Sequence, residues 1–175
     1  MRRVAVAAVF AMLTAASPLG ADVVDQSANG FTLKTSVRMA APAERVYRAL
    51  LDIGSWWSKD HTYGGDSRNL TIAPQPGGCF CEKLANGGGV EHGRVVNVLP
   101  GTLLRLTAAL GPLQEMGVNG AWSWEIRPAG QESQVTMTYA VGGYAAGGLD
   151  KLAPPVDQVL AEQVRLLKGY VEKSR

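Results

Sequence analysis

Residues 154–173 carry the one long helical pattern in this chain, and most of what precedes it from residue 30 onward reads as short strands. Val156, Val159, Leu160, Val164, Leu167, Tyr170 and Val171 recur at three- and four-residue spacing, the mark of an amphipathic helix starting at Pro154 or Pro155 and ending near Lys173. Gly169 falls inside it at a cost of about 1 kcal/mol relative to Ala. A sheet with one apolar face must bury that face. No other element is long enough to cover it, so the strands must wrap around this helix.

The strands are legible from alternation. Phe31, Leu33, Thr35, Val37 and Met39 share one face, opposed by Thr32, Lys34, Ser36 and Arg38. Pro42 then opens a helix, APAERVYRALLD, with Val46, Tyr47, Leu50 and Leu51 as its stripe and Glu44 at the positive end. Ile53 to Trp57 reads as a second short helix, followed by a Gly/Asp-rich loop to Asn69 and a brief strand at Leu70 to Ala73. Further strands are expected around Leu104, Leu106 and Ala108, around Trp122, Trp124 and Ile126, and around Val135, Met137, Tyr139 and Val141.

Between them lies Gly77 to Pro100, where two extended runs flank Ala85-Asn86-Gly87-Gly88-Gly89, the signal of a hairpin. A turn centred on Gly87 sets Leu84 opposite Val90, Glu82 opposite His92 and Phe80 opposite Arg94. One face then collects Phe80, Glu82, Leu84, Val90, His92, Arg94, Val96 and Val98. That face is either a polar spot on a wet surface or the polar floor of an apolar cavity. A bulge would exchange its two faces. Cys79 and Cys81, two apart on the opposite face, are expected as half-buried thiols; a C-x-C bridge or a soft-metal site is the sharper alternative.

Met1 to Ala21 has a positive start (Arg2, Arg3), an apolar stretch (Val4 to Leu13) and a small-residue exit, the pattern of a secretory signal peptide cut after Ala21. This implies a periplasmic or secreted protein with no stable membrane insertion after cleavage. Residues 22–29 form a polar lead-in, and residues 30–175 a single domain. Of 17 basic residues, Arg2 and Arg3 leave with the leader; the 15 that stay equal the 15 acidic residues, for a net charge of zero. Nucleic-acid binding needs a basic surface, and none remains.

The ordered pattern APAERVYRALLD…WW…GG-x-F-x-E…G-R-V…P…L-x-L, closed by the last helix, resembles the START-like, or SRPBCC, superfamily. Within it the chain is most similar to the branch of the activator of heat-shock ATPase, grouped with polyketide cyclases, over about Gly30 to Glu172. The resemblance implies an α+β helix-grip fold: a curved antiparallel sheet of about six to seven strands around a long C-terminal helix, with two short helices after the first strand. It also implies a deep, mostly apolar pocket between sheet and helix. The chemistry stays open, because this fold serves carriers, receptors, cyclases and co-chaperone domains. The cytosolic ATPase-activator role does not suit an exported chain.

Glu82 is the central candidate, a buried carboxylate opposed by His92 or Arg94, serving as a polar anchor or an acid/base pair. His61, in the loop after the Trp pair, is expected at the cavity mouth; with Glu82 and His92 it makes a conceivable two-His, one-carboxylate set, but the spacing matches no ligand motif, and no metal or cofactor is expected. Adjacent Trp56 and Trp57 cannot both face inward from a helix, which places one at the mouth. Leu113 and Met116 are candidate gates, and Phe80, Trp122, Trp124, Met137, Tyr139 and Val159 candidate walls. No nucleophile elbow exists. These readings favour binding of a small hydrophobic molecule, lipid-like, isoprenoid or aromatic. The alternatives are a cyclase- or hydrolase-type enzyme using Glu82 and His92, and an envelope protein-interaction module whose partner is unknown.

Overall fold

Alternation sets the first paired strands. The computed structural model describes residues 22–173, so the leader assigned to residues 1–21 lies outside the described residues. Strand β2 (Gly30–Met39) buries Phe31, Leu33, Thr35, Val37 and Met39, the face expected from period two. Ahead of it, β1 (Asp22–Ser27) is exposed along its whole length and pairs antiparallel with β2. The segment read as a polar lead-in is therefore an edge strand, whose polarity suits an edge open to water.

Six strands complete the sheet: β3 (Leu70–Ile72), β4 (Cys79–Lys83), β5 (Gly89–Leu99), β6 (Leu103–Ala108), β7 (Gly117–Ala129) and β8 (Glu132–Tyr144). All neighbours pair antiparallel in the order β1-β2-β8-β7-β6-β5-β4-β3. The eight strands are slightly more than the six to seven expected, and β1 accounts for the excess. Helix α1 (Ala43–Leu51) follows Pro42 and buries Val46, Tyr47 and Leu50. The second short helix shrinks to a 3-10 turn, Ile53–Ser55. Helix α2 (Ala153–Lys173) buries Leu160, Val164, Leu167 and Val171 against the sheet, as its periodicity requires. The fold is the α+β helix grip.

The hairpin departs from the expected register. Asn86 (φ 56°) and Gly87 (φ 78°) both take the left-handed conformation of a tight turn, which centres it one residue early. Glu82 then pairs with Val90, and Cys81 with Glu91, but Phe80 pairs with Gly93. His92 is the extra residue of a bulge, and the alternation of β5 shifts at that point. Arg94 consequently turns outward to Glu91, not toward the helix. Beyond that bulge Val95 is buried and Val96 half exposed, the reverse of the expected faces, until a second irregularity between Val95 and Asn97 returns Val98 to the core side.

The cysteines also differ from expectation. Cys79 and Cys81 form a disulfide, their Cα atoms 5.4 Å apart, a separation within bridging range even along a strand.

Candidate functional site

The loop between α1 and β3 is where the sequence carries least regular structure, and it forms the front wall of a cavity of about 490 Å³. That loop contributes Trp57, Asp60, His61, Thr62 and Tyr63. Phe80 on β4 and His92 on β5 form the floor. The turn after β6 supplies Leu110 to Leu113 and Glu115. Leu152, Pro155, Val156, Val159 and Leu160 close the cavity from the start of α2. Most of these groups are apolar, so the hollow suits an apolar occupant with few polar contacts.

Glu82 holds this arrangement together from behind the wall. It is buried at 1% exposure, and its two oxygens accept from Gly64 N (2.6 Å), Tyr63 N (3.0 Å) and His92 Nε2 (3.0 Å). Three donors on one carboxylate repay much of its desolvation. The residue expected to point into the pocket instead ties the front loop to the sheet. It reaches the ligand space only through His92, whose ring lies on the cavity surface, tilted against Phe80 with centroids 4.8 Å apart. Burial pulls the His92 pKa below its ordinary value, and the Glu82 hydrogen bond and charge oppose this in part.

The other end of the loop is fastened to α2. Gln163, fully buried, accepts from Ser58 N at 2.9 Å and donates to Val159 O at 3.2 Å. His61 Nε2 lies 3.3 Å from Glu162 Oε2. His61 therefore lines the cavity yet turns to the helix, and the His61–Glu82–His92 set does not assemble. Among the described residues, no three His, Cys, Asp or Glu side chains stand together as a metal site would need. Across the mouth, the Tyr63 hydroxyl donates to Gly111 O at 3.0 Å.

Of the residues expected at the pocket, Trp57, His61, Phe80, His92, Leu113 and Val159 line it. Trp56 and Trp57 are both buried, which a helix would forbid, because the 3-10 turn ends before them. Trp57 donates its indole N–H to His61 O at 2.9 Å, whereas Trp56 donates to Ala49 O and packs on Trp124. Trp122, Trp124 and Met137 are core residues, filled in behind Phe80 and Trp57. Tyr139 is also core, its hydroxyl accepting from Leu110 N and donating to Ala108 O at 3.1 Å each. Burial pushes its pKa up to about 12, and it fixes the rim turn rather than touching the cavity. Met116 packs on the core beside that turn and does not line the hollow.

Sequence reasoning missed Tyr63, Leu152, Val156 and Leu160 as lining residues. Val156, Val159 and Leu160 sit at the spacing of one helical face, so Val159 already pointed to its two neighbours. Tyr63 had a weaker signal, a lone aromatic in a Gly/Asp-rich loop.

A family model described as polyketide cyclase / dehydrase and lipid transport matches residues 30–172. Solved structures share the fold at low identity. An uncharacterised protein from Rhizobium leguminosarum aligns with a TM-score of 0.63 at 15% identity, over 86% of this chain and 99% of that one. The Aha1 dimer from Colwellia psychrerythraea gives 0.57 at 20% identity, over 81% and 96%. The di-domain ARO/CYC protein BexL of the BE-7585A biosynthetic pathway gives 0.56 at 15% identity, over 84% of this chain and 50% of that one. No curated protein matches the sequence.

Proposed function

The chain belongs to the polyketide cyclase / dehydrase and lipid transport family, and from that premise we propose that it binds a small hydrophobic molecule between the sheet and α2. The observation that carries this reading is the cavity of about 490 Å³, walled by Trp57, Phe80, Leu113, Val156, Val159 and Leu160. A lipid-like, isoprenoid or aromatic compound fits both the volume class and the lining of ligand pockets. Native mass spectrometry of the purified protein tests it. A co-purifying small molecule, displaced when Val159→Arg fills the hollow with charge, is the expected result. Empty protein that also fails to bind a lipid and aromatic panel would count against the reading.

The leader pattern supports export, and the Cys79–Cys81 disulfide is in keeping with an oxidising compartment. The corresponding expectation is a mature chain beginning at Asp22 in the periplasmic or secreted fraction, read by intact mass. Among the described residues, no helix is long and apolar enough to cross a membrane.

A second reading, a cyclase-type enzyme, is favoured by the Glu82–His92 hydrogen bond at the cavity floor. A histidine oriented by a carboxylate is a recurring general base. Glu82→Gln that retains ligand affinity while losing turnover would select it.

A further inference from the structure

His92 is the one imidazole on the cavity floor, and its tautomer can be read from its surroundings. The two Glu82 oxygens already accept backbone N–H groups from Tyr63 and Gly64, so the carboxylate meets His92 as an acceptor. Nε2 therefore carries the proton and donates to Glu82 Oε2 at 3.0 Å. Nδ1 is left with its lone pair, and among the described residues it has no hydrogen-bond partner. The residue is only 6% exposed, and the ring lines the hollow. Nδ1 is not sealed from solvent, so a ligand donor entering the hollow can reach it and take the place of water there.

The charge of the lining narrows the donor further. Among the described residues no Lys or Arg faces the cavity, whereas Asp60 and Glu115 do. A carboxylate or phosphate ligand would find no cation in the lining to pair with, and at the mouth it would meet Glu115 and an Asp60 already paired with Lys59. Two aromatic rings pack on the imidazole, Phe80 at 4.8 Å and Tyr63 at 5.8 Å between ring centroids, and both line the hollow. Resting on the binding reading above, we infer that the ligand is a neutral aromatic hydroxyl compound whose O–H donates to His92 Nδ1. Glu82 is a positioning residue in this scheme, holding the imidazole in the tautomer that accepts.

Isothermal titration of the full-length protein with 4-octylphenol, 4-octylanisole and 4-octylbenzoate tests this. The phenol should bind about tenfold tighter than the ether, the value of one hydrogen bond, and tighter still than the acid. His92→Phe should bring phenol and ether to equal affinity. An ether as tight as the phenol, or a tighter benzoate, overturns the inference while leaving the cavity reading intact. Failure of all three to bind removes the cavity reading and this inference with it. If His92→Phe does not fold, nitrogen NMR of the unaltered protein decides. The Nδ1 resonance should move with the phenol and not with the ether, and a resonance that ignores the phenol overturns the proposal.

Discussion

Glu82 meets three donors from inside the wall, two of them backbone amides of a loop that has no ladder of its own. Replacing it by Ala leaves those donors buried without an acceptor, at a cost of about 3 kcal/mol. Chemical denaturation of Glu82→Ala should show that loss, with Trp57 fluorescence reporting the freed loop. His92 gives a pH signature. Its folded pKa lies below the unfolded value of about 6.5, so between the two the unfolded chain binds the extra proton. Stability is then full above about pH 7 and falls as pH drops through this range. The denaturation midpoint should decline from pH 7 to pH 5, and His92→Gln should flatten the decline. Phe80, Glu82 and His92 were legible as one constellation because all three lie on alternating positions of one hairpin. The outward turn of Arg94 was not. Nothing in Glu91-His92-Gly93 marks where a strand gains a residue, and one bulge reverses the side chains beyond it until a second restores them.

The hairpin as an element depends on Gly93. A Cβ there would stand 2.8 Å from both Ala108 Cβ and Thr107 O on the neighbouring strand β6. Gly93→Ala must push β5 off β6, with an expected loss of about 2 kcal/mol and weaker ligand binding as His92 moves. Denaturation and titration of the same variant read both effects. The disulfide of β4 closes a very short loop, and chain entropy assigns such a link about 1.5 kcal/mol. The Cys79→Ser, Cys81→Ser double variant should lose no more than that and keep its fold by circular dichroism. Helix α2 and strands β2, β6 and β8 were readable because their burial follows one period throughout. β1 escaped because an edge strand exposed on both faces has no period to show.

At the scale of the molecule, the sheet and α2 make a grip that is solid at one end and hollow at the other. Trp122, Trp124, Met137 and Tyr139 fill the solid part, all within 1% of full burial. The sequence placed these side chains in the pocket since composition does not distinguish a filled interior from a lined one. Binding and folding are linked through the hollow. An occupant at a hundred times its Kd should add about 2.7 kcal/mol to stability, seen as a rise in Tm with 4-octylphenol concentration. The front loop, stapled to the sheet by Glu82 and to α2 by Gln163, makes this linkage global. Residues 152–160, which seal the cavity, come after every strand in the order of synthesis. A chain whose strands alone have folded thus has a furrow but no chamber, and any occupant could be enclosed only once the final helix has docked.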